Sequence, residues 1–293
     1  MNSATIKGMR IRVAILATAA LLQTAHSAES APPNLIVVGK TVNYRQSAEG
    51  RLTLLNYHFF AEVFQPSGEM GAGAELVDSR GTTVAFRADG NILAAGGDRE
   101  FRSLAELNAN IPNGDYKLRY SRPGAPVLIA SVRMNATATA MAGAVRIRLA
   151  QGGQAVAASE VDSARALVIQ WSPFAKGRAD PNGISDDLIF VHVGDCHGRI
   201  LARTPAPFSG KTPLTYRSAS YTVPAGMLGP GSVYQISVEQ APVVTSRTEG
   251  VPTFATYPAT TYLDVRTAGE SAVPCPDPPY QMDHGQSDRE RAP

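Results

Sequence analysis

The chain has 293 residues, and its 27 Lys+Arg against 25 Asp+Glu give a formal charge of +2. That balance excludes a strongly basic nucleic-acid binder. The 44% hydrophobic and 18% charged content exclude a largely disordered chain, and the length suffices for one large domain or two ordinary ones.

Residues 1–28 contain no acidic residue. Lys7, Arg10 and Arg12 precede an apolar run from Val13 to Leu22, and small residues follow at Ala25, Ser27 and Ala28. This is the three-part pattern of a secretory signal peptide, with the cut expected after Ser27 or Ala28. The run is about ten residues, where a bilayer span needs roughly 20. No later segment approaches a span, so the expectation is an exported protein, in the periplasm or at the cell surface, with no membrane span once the leader is removed. Losing the leader removes three basic residues and leaves 24 against 25, so the mature charge is −1. An alanine-rich leader of this kind reads as bacterial. The two cysteines, Cys196 and Cys275, are expected to pair in an oxidising compartment.

The apolar stretches that follow are short and β-like. In 52–65, Leu55, Tyr57, Phe59, Ala61 and Val63 alternate onto one face, as a half-buried strand requires. Strands are also expected at 74–78, 83–88, 115–121 and 127–134, separated by Gly, Pro, Asn and Asp turns. Ser103-Leu-Ala-Glu106 is a capping box, which predicts one short helix at about 103–109. Further strands are expected at 144–150, 154–161, 165–172, 187–193, 199–203, 218–223, 233–240 and 259–266. Many short strands without alternating helices predict an all-β protein of antiparallel sandwiches. The small-residue stretch Asn135–Gly143 is the natural boundary between an N-terminal sandwich at 33–138 and a second one at 143–268. Residues 269–293 read as a polar, Pro-rich disordered tail.

The second half carries a more specific pattern. Trp171 ends a strand and precedes Ser172-Pro173. Leu228-Gly-Pro230-Gly231-Ser232-Val-Tyr234 follows about sixty residues later. This resembles the fibronectin type III domain, which has a Trp on its second strand and a Leu-x-Pro-Gly-(Thr/Ser)-x-Tyr corner entering its sixth. The resemblance implies an immunoglobulin-like sandwich, with the Trp packed between sheets and the Tyr hydroxyl bonded back to the backbone. It covers about 143–268 and implies a scaffold, not an activity. The loop at 173–186 and the segment 240–258 are long for that family. The first half resembles no family by this reading.

Candidate chemistry is sparse. There is no Gly-x-Ser-x-Gly elbow and no Ser-x-x-Lys. The mature histidines are His58, His192, His197 and His284. His192, Asp195, Cys196 and His197 form the one cluster with catalytic or metal-ligand residue types, in a spacing that matches no closed zinc motif. Asp180, Asn182, Asp186 and Asp187 could offer hard oxygens to calcium. Their spacing does not match the twelve-residue calcium loop, and Asp and Asn also favour turns for local reasons. Otherwise no cofactor is indicated. Tyr216, Tyr221, Phe254, Tyr257 and Tyr262 could stack on sugar rings or could alternate into the core.

The reading is an exported, non-enzymatic interaction module, whose sandwich loops bind a protein or glycan and no nucleic acid. The first places to look are 173–186 and 240–258. An extracellular hydrolase or lyase with a site between the domains, and a structural subunit of an envelope assembly, are the alternatives.

Overall fold

The computed structural model describes residues 31–66, 72–97, 99–271, 273–277 and 279–282. The leader, and the tail beyond Met282 with His284, lie outside the described residues. The chain is all-β, as expected. Its strands are β1 (Leu35–Gln46), β2 (Leu52–Phe64), β3 (Gly73–Val77), β4 (Thr83–Ala85), β5 (Arg87–Asp89) and β6 (Ile92–Gly96), then, after the helix, β7 (Gly114–Ser121) and β8 (Leu128–Met134). The second half contributes β9 (Ile147–Gln151), β10 (Gln154–Ala155), β11 (Leu167–Trp171), β12 (Leu188–Asp195), β13 (Ile200–Arg203), β14 (Leu214–Thr215) and β15 (Ser220–Val223). It ends with β16 (Val233–Ala241), β17 (Val243–Thr248), β18 (Val251–Thr256) and β19 (Ala259–Arg266). The helix α1 runs Leu104–Asn110, and the Ser103 hydroxyl accepts the Glu106 amide at its start, as the capping box predicts.

Three sheets form. Two have four strands, in the orders β10-β9-β11-β15 and β4-β3-β7-β8. The third has eleven strands, and its main path is β13-β12-β16-β19-β1-β2-β6-β5. β1 is the seam of this long sheet. It pairs antiparallel with β2 along its length, and parallel with β18 at Ile36–Gly39 and β19 at Val42–Gln46. The first strand of the described residues is therefore hydrogen-bonded to their last two.

The burial pattern follows from that position. Ile36, Val38 and Val42 turn into the main core with Phe59, Ala61 and Val63 of β2. Val42 is the register partner of Ala259, so the core faces of β1 and β19 are the same face. Tyr116, Leu118 and Tyr120 of β7 and Leu167, Ile169 and Trp171 of β11 belong to the same core. Leu35 and Val37 alternate to the opposite face. There they join Leu188, Ala241, Val243 and Phe254 in a second, smaller cluster.

Two local features depart from the alternation read in the sequence. Asn43 pairs with Asn56 and Tyr44 with Leu54, so Leu55 sits in a bulge outside the register. Residues 240–258, read as a long connection, contain the β17–β18 hairpin. Its two-residue turn has positive φ at both Glu249 (50°) and Gly250 (85°), which matches the twist of the flanking strands.

Lys40 of β1 is fully buried in the first half. Its ammonium donates to Asn108 Oδ1 at 2.8 Å, Ile111 O at 2.7 Å and Asn113 Oδ1 at 3.0 Å. It thus ties the end of α1 and the following turn to the central strand, and it satisfies a helix C-terminal carbonyl. Burial lowers its pKa to about 8.

Candidate functional site

The residues singled out in the second half fall into two groups. The first surrounds the disulfide. Cys196 is bonded to Cys275 across 79 residues, with Cα atoms 5.5 Å apart. Asp195 is 5% exposed. Its carboxylate accepts the amides of His197 and Arg199 at 2.9 Å and the Arg199 guanidinium at 2.7 Å. His192 lies on β12, where its register partner is Ser237, so the strand separates it from this turn. The histidine–cysteine cluster read in the sequence is therefore split between a strand face and a disulfide-bearing turn.

The corner residues lie beside the disulfide. Tyr234 Oη accepts the Gly229 amide at 2.6 Å and donates to the Gly229 carbonyl at 3.3 Å. Gly231 has φ +63°, and a Cβ there would fall 2.3 Å from the Ser271 amide nitrogen, so only glycine fits. Leu228 is buried, and Trp171 is 7% exposed with its indole N–H donating to Ser218 O at 3.0 Å. The described part of 269–282 lies along this sandwich. Ser271 meets the Ser232 hydroxyl at 3.0 Å, Tyr280 N donates to Cys196 O at 3.0 Å, and Met282 N donates to Gln235 Oε1 at 2.7 Å.

The second group is the acidic loop. Asp180 Oδ2 accepts the amides of Ile184 at 2.7 Å and Ser185 at 3.0 Å, and Oδ1 accepts Asn182 N at 3.0 Å. Asp186 accepts Asp180 N at 3.0 Å and Arg217 at 2.9 Å. Asp187 is 2% exposed and accepts Arg178 N at 3.0 Å and Val243 N at 2.8 Å. Each carboxylate is thus used to fold the loop. Burial pushes the Asp180 pKa up, but the amide and hydroxyl donors outweigh it and hold the group below the ordinary aspartate value. At Asp187 burial wins, and the pKa is raised.

This loop does not stand alone. Thr245 of β17 donates its hydroxyl to Asp180 Oδ1 at 2.8 Å, and Asn182 Nδ2 donates to Thr245 O at 3.0 Å and Oγ1 at 3.2 Å. With the Asp187–Val243 bond, these contacts cover the outer edge of β17, which among the described residues pairs only with β18. Ile184 packs onto the smaller apolar cluster beneath. Phe208, on the loop after β13, lies 6.0 Å from the ring of Phe254 in the same cluster. The two long connections of the second half are therefore one surface. Sequence spacing could not pair them, because 65 residues separate Asp180 from Thr245.

The smaller cluster gives way to a polar row along the outer face of the long sheet. Glu239 of β16 accepts the Thr260 hydroxyl at 2.7 Å. Asn43 donates to Asn56 Oδ1 at 2.8 Å and approaches His58 Nδ1 at 3.2 Å. Burial lowers the pKa values of His58 and His192 to about 4 and raises that of Glu239. Ser237 Oγ is 3.4 Å from His192 Nδ1. Ser237 is only 3% exposed, which closes its hydroxyl to a substrate. Of these groups the sequence singles out only His192, and with Asp195, Cys196 and His197 rather than with these partners; the others sit singly in strand patterns. Of the five aromatics considered for stacking, Phe254 and Tyr257 are buried.

No family model and no curated protein matches the chain. Among solved structures, it is similar to the BSP domain of a biofilm-associated protein at 13% identity and TM-score 0.21, over 80% of this chain and 30% of that one. A Ca2+-stabilized adhesin that helps an Antarctic bacterium bind ice is similar at 15% identity and TM-score 0.23, over 84% of this chain and 51% of that one. Murine CEACAM1b is similar at 7% identity and TM-score 0.21, over 78% and 98% of the two chains. The chain thus spans about a third to a half of the length of the first two. These likenesses carry no argument about function.

Proposed function

We propose that the chain is an exported, non-enzymatic interaction module that binds a protein or glycan through the surface built by 178–187, the Phe208 loop and the β17–β18 hairpin. The leader pattern of 1–28 supports export. Two sandwich domains, 33–138 and 143–268, meet along β1. A fibronectin type III-like second domain is supported by its strand partition, with β9, β10, β11 and β15 in one sheet and β12, β13, β16 and β19 in another. The Trp171 and Tyr234 contacts agree with that assignment.

The observation that carries the reading is the junction of Asp180, Asn182 and Asp187 with β17. Recognition on sandwich folds resides in loops held by rigid strands. Here two connections brace each other over an apolar cluster, leaving Phe208 40% exposed and Arg247 exposed on the same strand face as Val243 and Thr245. Glu249 at the hairpin end is exposed as well.

The test is a screen of the mature protein on a glycan array and a panel of surface proteins, repeated with Arg247→Asp and Phe208→Ser. Binding weakened at least about tenfold by these substitutions, with an unchanged melting temperature, supports the reading. Binding that survives both, or turnover on a hydrolase panel, overturns it.

A further inference from the structure

The first sandwich has an opening between its two sheets. After β4, at the edge of one sheet, the chain passes through Phe86 alone into β5, at the edge of the other. Facing sheets stand about 10 Å apart, and side chains must fill that gap. Beside this crossing they do not. β6 presents Ala94, Ala95 and Gly96, and a cavity of about 250 Å³ remains. Gly96 cannot be enlarged to close it, because a Cβ there would fall 2.4 Å from the Phe59 carbonyl oxygen.

The walls are apolar, formed by Phe59, Val84, Ala95 and Phe101, while Arg87 and Arg99 stand among the lining residues. Both arginines are exposed, which puts them at the rim. Arg99 is held in place. Its guanidinium lies 4.8 Å from the centroid of the Phe101 ring and donates to Asn110 Oδ1 at 2.8 Å. It forms no ion pair among the described residues. Apolar walls under a fixed guanidinium recognise an apolar tail with an anionic head, and a carboxylate matches the planar guanidinium fork. At about 30 Å³ per heavy atom, the cavity admits roughly eight atoms of tail.

We propose that this cavity binds a small amphipathic carboxylate, with its hydrocarbon tail between the sheets and its head on Arg99. The site is distinct from the loop surface, so the two readings stand or fall separately.

The test uses the mature protein and octanoate, with octan-1-ol, octylammonium and acetate as comparison arms. Titration followed by amide chemical shifts is expected to show saturable octanoate binding, with a dissociation constant below about 1 mM. The largest shifts are expected at Gly96, Arg99 and Phe101. Octan-1-ol should bind about tenfold more weakly, and octylammonium and acetate not at all. Arg99→Gln should weaken octanoate about tenfold and leave octan-1-ol unchanged. Val84→Trp, on an edge strand, should abolish binding by filling the wall, while Phe208→Ser on the loop surface should leave it intact. If Val84→Trp fails to fold, the Arg99→Gln titration and the shift map still decide. Octanoate that does not saturate, shifts that map elsewhere, or equal affinity for octylammonium overturns the proposal.

Discussion

Thr245 donates its hydroxyl to Asp180 at 2.8 Å, and Asp180 already accepts three backbone amides of its own loop. One carboxylate therefore folds the connection before β12 and fixes it to the hairpin after β16. Asp180→Ala leaves four donors without their acceptor. The expected cost is about 1–3 kcal/mol, seen as a melting temperature lower by roughly 2–10 °C. Asp180→Asn, which keeps an acceptor oxygen, should recover part of it.

The same geometry sets the expectation for calcium. The oxygens of Asp180, Asp186 and Asp187 are directed at amides, a hydroxyl and Arg217. Millimolar calcium is expected to leave the melting temperature unchanged and to give no binding heat. A clear rise in melting temperature with calcium, abolished by Asp180→Ala, would show that the loop reorganises around the ion.

Lys40 supplies the next prediction. Its three acceptors are all uncharged, so burial without a counter-charge lowers its pKa to about 8. The unfolded chain, with an ordinary lysine near 10.4, binds more protons between those values. Stability is therefore expected to rise as pH increases from about 8 to 10.4. Lys40→Met removes that rise. It also strands the acceptors on Asn108, Ile111 and Asn113, at a cost of about 2–4 kcal/mol by urea unfolding at pH 7.

The parts of the fold that were legible in the sequence are those with one wet face. β7 and β8 alternate strictly between exposed and buried residues, and both are readable from period alone. β1 and β18 were not read as strands. Both are buried on the two faces, as their patterns at Leu35–Gln46 and Val251–Thr256 show. A strand between two cores has no polar alternation to read. The disulfide was legible from compartment and an even cysteine count. The polar row of His58, Asn43, Thr260 and Glu239 was not, because its members come from four strands whose order in the sheet is not their order in the chain.

The disulfide is the test of how the chain end is held. The link joins the turn after β12 to Cys275, beyond the last strand, and the nearby Tyr280–Cys196 bond continues that attachment. Replacing both cysteines with serine is expected to cost about 2–4 kcal/mol, chiefly by freeing the unfolded chain. Reductant should lower the melting temperature of the natural protein to that of the variant and leave the variant unchanged. Equal melting temperatures with and without reductant would mean that the link adds nothing to stability.

The outer face makes the fold sensitive to acid, and the sign follows from three groups. His58 and His192 have pKa values of about 4 in the folded chain because they are buried, against about 6.5 when unfolded. Between those values the unfolded chain binds more protons. The stability these groups contribute is therefore complete above about 6.5 and is lost as pH falls toward 4. Screening of half-buried groups keeps the effect on the order of 1–2 kcal/mol each. Glu239 works in the opposite sense. Burial raises its pKa, so its contribution is present below the unfolded value of about 4.3 and is lost as pH rises through the folded one. In the shared window it offsets part of the histidine slope. His58→Gln with His192→Gln should flatten the decline between pH 6.5 and 4.5, and Glu239→Gln should steepen it. Urea unfolding followed by the fluorescence of Trp171, the one tryptophan of the chain, measures both. His58 lies in the first half and Trp171 in the second, yet β1 pairs with both β2, which carries His58, and β19, and Trp171 packs in the core these strands share, so His58→Gln alone should move the Trp171 transition. A Trp171 transition unmoved by His58→Gln would mean that the two halves unfold independently despite the shared strand.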